Sequence, residues 1–371
     1  MASTSLWLDG TTRTFGSLDG DTTVDVAVVG GGIAGIATSY FLASAGARVV
    51  VLEARGVAEA ASGRNAGFLL AGVAENFVAA SRRYGEDRAL RIWMLTKRTQ
   101  LLARDLVARH DIDCDLRWNG SDQIAGDDDE WREVEESARR LAERGVPVTV
   151  DPRRRAATYA DDGEVHPVRW VRGLARAAAE RGVEIHESTR VVSARGSEVR
   201  TERATVHAGT VVLCTNAYTS HLHGTRVRAV RGQMLATAPT RRVFERPAYA
   251  HRGYRYWRQT PDGRVVVGGW RDTAADREVG EEETPTPDVQ LHLDAFLREH
   301  AIDVPVTHRW AGTMGFSHDA LPYVGQVGPR LFVCGGFTGH GMAFGPASAE
   351  MVATLVRTGS HADADLFDPS R

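Results

Sequence analysis

Lysine is nearly missing from this chain of 371 residues: of its 45 strongly basic residues one, Lys97, is a lysine and the rest are arginines. Any chemistry that needs a small ammonium group therefore has a single candidate. Cysteine is scarce too. Cys114, Cys214 and Cys334 stand far apart with no CxxC pair, which excludes a disulfide framework and leaves no metal site to expect; each reads as a small buried apolar residue. No apolar run approaches the roughly 20 residues that cross a bilayer, so no membrane span is expected. The leader MASTSLWLDGTTRTFG lacks an apolar core of signal-peptide length, and a cytoplasmic location is expected. Excess charge is absent as well, at a formal net −3. With no basic stripe interleaved with aromatics, nucleic acid is an improbable partner class. The length allows a large core and two domains.

The stretch with the strongest pattern is Val24 to Glu53, VDVAVVGGGIAGIATSYFLASAGARVVVLE. The β-branched run Val24 to Val29 reads as a strand buried on both faces in a parallel sheet. Gly30, Gly32 and Gly35 follow in G-x-G-x-x-G spacing: one to turn the chain, one to admit a pyrophosphate against the backbone, one to let the next helix pack on the strand. A helix is expected from Ile33 to about Ala45, its first amides and dipole facing a phosphate. A second strand, Arg48 to Leu52, ends at Glu53, where a carboxylate can hydrogen-bond both hydroxyls of a ribose. That acid would repel the ribose phosphate of NADP. The unit indicates a bound dinucleotide without separating FAD from NAD.

Further along, the loop Ala60-Ala-Ser-Gly-Arg-Asn-Ala-Gly67 combines small residues with the donors of Ser62, Arg64 and Asn65. An amphipathic helix is expected from about Glu86 to His110, carrying Lys97 on its surface. Another opens at the acidic run Asp127 to Glu130. Two strand passages, Val206 to Ala208 and Thr210 to Cys214, lead to Cys214, Thr215 and Asn216 at a strand's carboxyl end, where open parallel sheets bind ligands. The character then becomes antiparallel: Arg228 to Thr237, the aromatic Tyr254 to Arg258, the turn Pro261-Asp-Gly263, and Arg264 to Trp270. Glu281 to Glu283 reads as a solvated acidic run before a helix from Pro287 to His300. Near the end, the strand Leu331 to Cys334 runs into Gly335-Gly-Phe-Thr-Gly-His-Gly-Met-Ala-Phe-Gly345 and a helix from Pro346 to Arg357. This second glycine-rich strand-to-helix turn offers helix N-terminal amides for the negative charge of a reduced flavin ring.

The Val24 to Glu53 unit, the Ser62 to Gly67 loop, Trp310 to Gly325 and the Gly339-His-Gly341 turn resemble, in that order and spacing, the FAD-dependent D-amino acid oxidase superfamily. The Leu-Asp-Gly-Asp leader and Ser-Gly-Arg-Asn most resemble its gamma-glutamylputrescine oxidase branch. The resemblance implies an α/β fold: a doubly wound, Rossmann-like FAD domain (1–90, 151–222 and 309–371) and an α+β substrate domain on an antiparallel sheet (91–150 and 223–308). It implies that Gly30, Gly32 and Gly35 hold the pyrophosphate, Glu53 the adenosine ribose and Val191 the adenine, with Ile33, Ala34, Ala54 and Arg55 also lining the cofactor. Ser62, Arg64 and Asn65 would lie along the flavin and its phosphates, with Gly63, Ala66, Gly67, Cys214, Thr215, Asn216, Thr313 and Met314 also lining the cofactor. Gly339, His340, Gly341 and Met342 would cover the pyrimidine side. The flavin-linking cysteine of covalent relatives has no counterpart in Gly312 to Met314, so FAD is expected to be non-covalent. A lysine beside the flavin, which such oxidases use to help oxygen accept electrons, is also expected to be missing.

The implied activity is oxidation of a C–N bond in a small amine or amino acid, with hydride transfer to the flavin, hydrolysis of the imine, and oxygen or another acceptor taking the electrons. Candidate substrate-side residues are Tyr254, Tyr256, Arg258, Phe316 and His340, with Arg258 able to pair a carboxylate and the tyrosines able to wall an amine. Three other readings stay open: a flavin dehydrogenase of a 2-hydroxy acid, an FAD-binding electron-transfer component without its own substrate, and a nicotinamide dehydrogenase.

Overall fold

The computed structural model describes residues 4–371 and contains two eight-stranded sheets. The apolar run near the N-terminus forms the strand Thr22–Val29, which has parallel neighbours on both sides, Val49–Leu52 and Thr205–Leu213. Leu331–Gly335 extends the sheet in parallel beyond Thr205–Leu213, and Glu184–His186 extends it beyond Val49–Leu52. Such strands are apolar at successive positions because both faces are covered. Val26, Val28, Val49 and Val51 share a core with the helices Ile33–Ser44, Pro167–Ala179 and Gly341–Thr358. Ala27, Val29, Val50 and Leu52 point the other way, into a cluster with Ala194 and Val199 of the Val191–Arg195 and Glu198–Thr201 hairpin. Helices thus cover one face and a β-hairpin the other.

The second sheet runs Val306–Phe316, Arg228–Pro239, Arg264–Gly269, Arg255–Gln259, Ala248–Ala250, Ser121–Ile124, Ala156–Tyr159 and Val148–Asp151. Alternation along its strands divides the side chains: Leu235, Val265 and Val267 pack outward on the helix Pro287–Glu299, while Met234, Val266 and Tyr256 face the first sheet. The expected Pro-Asp-Gly hairpin joins Arg255–Gln259 to Arg264–Gly269.

Several expected boundaries shift. Ala156–Tyr159 and Val306–Phe316 belong to the second sheet, although the sequence boundaries put 151–222 and 309–371 with the first. Conversely Ile92, Leu95, Leu102 and Leu106 of the helix Glu86–Arg109 join the core of the first sheet. An apolar stripe says that a segment is buried, not against which sheet. The two passages around Gly209 are one strand, Thr205–Leu213. The last helix starts at Gly341, not Pro346, with the proline inside it. The N-terminal arm lies over the loop that follows the second strand: Ser5 Oγ donates to the Gly63 carbonyl at 2.5 Å and Trp7 Nε1 to that of Asn65 at 2.7 Å.

Candidate active site

Between the sheets lies a cavity of about 770 Å³, within the ~300–1,000 Å³ range of ligand sites. Gly30 and Gly32 form one end. Gly30 has φ +110°, and a Cβ there would sit 2.7 Å from the Cys214 carbonyl oxygen; one on Gly32 would sit 2.9 Å from Ser62 Oγ. The Ile33 amide donates to Ser62 Oγ at 2.9 Å. Among the described residues nothing accepts from the Gly32 and Ala34 amides, and both residues line the cavity. Glu53 sits beside them, its Oε2 accepting from the Gly31 amide at 2.6 Å and its Oε1 from the Arg55 amide at 2.7 Å. Burial pushes this carboxyl above its usual pKa, and the two amides oppose that push. Ala54, Arg55 and Val191 line the same end.

The other glycine-rich turn converges here because the first and last helices cross closely. A Cβ on Gly345 would lie 3.0 Å from Ile33 Cγ2 and 3.8 Å from the Ala34 amide nitrogen. The Gly341 and Met342 amides open the last helix without an acceptor among the described residues, and both residues line the cavity with Gly339 and His340. Asn216, in a left-handed conformation at φ +47°, accepts on Oδ1 from Gly336 and Phe337 amides at 3.0 and 3.3 Å. It staples the ends of two neighbouring strands. Cys214, Thr215, Thr313 and Met314 complete this wall. Cys334 lies behind Cys214, its thiol pushed up by hydrogen bonding to Cys214 and by burial.

Not every predicted residue reaches the cavity. Gly35 supports the helix from behind, with 1.9 Å between a Cβ there and the Gly30 carbonyl oxygen; Gly63 and Gly67 similarly admit the Ala58 and Val165 carbonyls. Ser62, Asn65 and Ala66 line it, but the Asn65 amide is committed to its own loop, donating to Ala61 and Ser62 carbonyls and accepting from Gly67. Arg64 also lines it, with its guanidinium donating to the Glu59 and Ala311 carbonyls and lying 3.4 Å from Glu283. Glu283 is not solvated as expected: its side chain is 8% exposed and meets Arg55 at 2.8 Å.

On the substrate side Tyr254, Tyr256, Phe316 and His340 line the cavity, and Arg258 does not. Its side chain is 1% exposed, 2.8 Å from Glu164, and donates to the carbonyls of Ala66 and Val165. Strand alternation placed it on the same face as Tyr256, but at that level the face is already covered by the loop ending at Gly67. Sequence reading missed Tyr249 and Phe68. The Tyr249 ring lies 5.7 Å from Tyr256 and stacks on His340 at 6.0 Å, and Phe68 meets both tyrosines edge-on. Burial lowers the pKa of His340, which keeps the ring neutral, and raises the Tyr256 phenol to about 12. Also missed was Arg271, which lies over the Tyr254 and Phe316 rings at 5.0 and 4.9 Å. Its only local signal was the Gly-Gly-Trp at the strand end. Lys97 stays outside the cavity, 2.7 Å from Asp161.

Two helix N-termini with unpaired amides, a buried carboxylate beside the first of them and glycine cradles fit a dinucleotide. The matching family profile, described as FAD dependent oxidoreductase (DAO), covers residues 25–355. The chain belongs to this family of FAD-dependent oxidoreductase enzymes. It is similar to the gamma-glutamylputrescine oxidoreductase of Escherichia coli (strain K12), 27% identical over 95% of this chain and 87% of that protein. The glycine oxidase of Geobacillus kaustophilus is 27% identical over 90% of this chain and 92% of its own length. Its crystal structure superposes with a TM-score of 0.79 at 24% identity, covering 94% of this chain and 99% of that one. The L-proline dehydrogenase of P. horikoshii shares the fold, at TM-score 0.79 and 22% identity, over 95% and 98% of the two chains. Among the described residues no helix is long and apolar enough to cross a membrane.

Proposed function

We propose that this enzyme oxidises the C–N bond of a small amine or amino acid, with FAD held non-covalently in the cavity between the two sheets. The observation that carries this reading is the substrate half of the cavity, which presents the rings of Phe68, Tyr249 and Tyr256 and a neutral His340. Bound FAD would supply the electron sink, taking hydride from the carbon that bears a neutral amine and leaving an imine for water to hydrolyse. Such a reaction asks little acid–base work of the protein, and these groups offer little at neutral pH. Their contribution is orientation and exclusion of water. The aromatic faces suit an amine before it loses its proton. His340, with Nδ1 3.4 Å from the Thr338 carbonyl, holds the turn that opens the last helix. The names of the similar proteins, which denote oxidation of a glutamylated diamine, glycine and proline, support the same class of substrate.

At the adenosine end Glu53 would take the ribose hydroxyls, and the free amides of Gly32 and Ala34 would take the pyrophosphate. Gly341 and Met342 would face the flavin's pyrimidine edge, each through its own amide. The absence of cysteine in Gly312 to Met314 supports non-covalent attachment. The test is to mix the FAD-loaded protein anaerobically with a panel of amines and amino acids and watch the flavin absorbance. Bleaching by at least one amine, with ammonia or amine released, supports the reading. Bleaching only by 2-hydroxy acids, or by nothing in the panel, overturns it. Repeating the assay with and without oxygen identifies the acceptor, and acid precipitation should release all of the flavin into the supernatant.

A further inference from the structure

Two of the three cysteines meet where neighbouring strands of the first sheet end. Thr205–Leu213 and Leu331–Gly335 run in parallel with Leu213 opposite Val333, so Cys214 and Cys334 are the next pair along that register. Alternation turns Leu213 and Val333 to one face and the two cysteines to the other, where both join the core under the helices. Neighbouring strands stand about 4.8 Å apart, inside the roughly 4.4–6.8 Å that separates the α-carbons of a disulfide. Both are free cysteines. The third, Cys114, is buried beside His166, whose amide donates to the Cys114 carbonyl at 2.7 Å.

The paired thiols are not equivalent. Cys214 is 7% exposed and lines the cavity, whereas Cys334 is fully buried behind it. The Cys214 amide donates to the Val29 carbonyl at 2.8 Å, and a Cβ on Gly35 would lie 3.3 Å from the Cys214 Cβ. Cys214 is thus held between the end of the first strand and the first turn of the helix that follows it. Hydrogen bonding to Cys214 and burial both hold the proton on Cys334. A small solute that enters the cavity therefore reaches Cys214 first, with a protonated thiol beside it.

We infer that Cys214 and Cys334 form an oxidisable pair, which a peroxide entering the cavity converts to a disulfide, with Cys214 as the attacking thiol and Cys334 as the resolving one. In the first step the Cys214 sulfur attacks a peroxide oxygen and the O–O bond breaks. With hydrogen peroxide this leaves a sulfenic acid on Cys214 and one water, the thiol proton going to the departing hydroxide. In the second step the Cys334 sulfur attacks the Cys214 sulfur, the S–O bond breaks, and hydroxide leaves with the Cys334 proton as a second water. Two thiols lose two electrons, and one peroxide takes them up. The neighbouring resolving thiol makes the modification reversible, whereas a lone sulfenic acid can go on to irreversible forms. Bound FAD, placed as proposed above, would cover Cys214. The pair is then open to oxidation in the cofactor-free chain and shielded in the loaded one.

The test treats the full-length protein, FAD-free and FAD-loaded, with hydrogen peroxide, then denatures it for thiol counting and for mass spectrometry of unreduced peptides. In the FAD-free protein one of the three thiols, that of Cys114, is expected to remain, with the Cys214 and Cys334 peptides joined until dithiothreitol separates them. FAD should slow the reaction roughly ten-fold or more. Cys334→Ala should stop at a sulfenic acid on Cys214, captured by dimedone, and Cys214→Ala should leave Cys334 a free thiol. Three intact thiols, or a wild-type Cys214 oxidised without the bridge, overturns the inference. So does loss of the Cys114 thiol at the same rate, because opening of the fold, and not the pair, would then admit the oxidant. If the bridge forms equally fast with FAD bound, the pair stands and the placing of FAD against this wall fails.

Discussion

Gly345 lies against Ile33 so closely that a Cβ on the glycine would be 3.0 Å from Ile33 Cγ2. This contact lets the last helix cross the first near both of their N-termini, where the free amides face one cavity. Gly345→Val should force the helices apart. Overpacking of a filled core costs about 1–3 kcal/mol, and flavin content per protein, read from visible absorbance, should fall together with the unfolding midpoint.

Gly32→Ala should separate those two effects. The nearest atom to its new Cβ is the hydroxyl of Ser62 at 2.9 Å, with no backbone in the way, so the fold has room to adjust. The added methyl would stand at the end of the cavity proposed above for the pyrophosphate. FAD affinity is expected to fall roughly ten-fold or more, the scale of one lost charge-assisted hydrogen bond, with urea midpoints little changed. Fluorescence titration of the apoprotein with FAD measures it.

The Arg258–Glu164 pair anchors the loop that ends at Gly67, with both side chains 1% exposed. Burial lowers the Arg258 pKa and Glu164 opposes this. Glu164→Ala would strand the guanidinium without its counter-charge, a change that costs about 3–5 kcal/mol. A urea titration should show that loss. A smaller loss is expected for Glu164→Gln, which keeps an acceptor for Arg258 and Arg117.

A pH effect should come from Asp162, buried beneath the loop at Ala71. Burial raises its pKa from the ordinary 3.8 to about 6, against hydrogen bonds from Ser121, Gln100 and the Ala71 amide. The folded state thus binds this proton more tightly than the unfolded chain. The stability tied to that proton is complete below 3.8 and lost as pH rises through about 6. In Asp162→Asn the carboxylate is gone, so the variant's stability relative to wild type should climb across that window by up to ~3 kcal/mol, then level off. Urea melts of both proteins at several pH values check it, and a parallel offset at every pH would refute it.

Much of the proposed cofactor half was legible because its signals are local. A glycine needed for close approach, a strand's apolar run and an acid at its end all lie within Val24 to Glu53, and the structure brings Gly30, Gly32 and Glu53 to one end of the cavity. The substrate half was less legible because its residues meet only across the second sheet. Tyr249 belongs to a three-residue strand, Ala248–Ala250, with little pattern of its own, yet it touches Tyr256, Phe68 and His340. Arg258 looked equivalent to Tyr256 by alternation, and only the loop packed over it removes it from the cavity. Arg271 depends on a backbone turn at Trp270 that no propensity favours.

Asn216 draws its two amide donors, Gly336 and Phe337, from a segment made late in synthesis, and the helix that follows them supplies the remaining wall. A ribosome-bound chain holding only the earlier segments has an open trough in place of an enclosed chamber. The cavity is therefore expected to close only once the last helix has been made, and firm retention of the flavin is expected to follow that step.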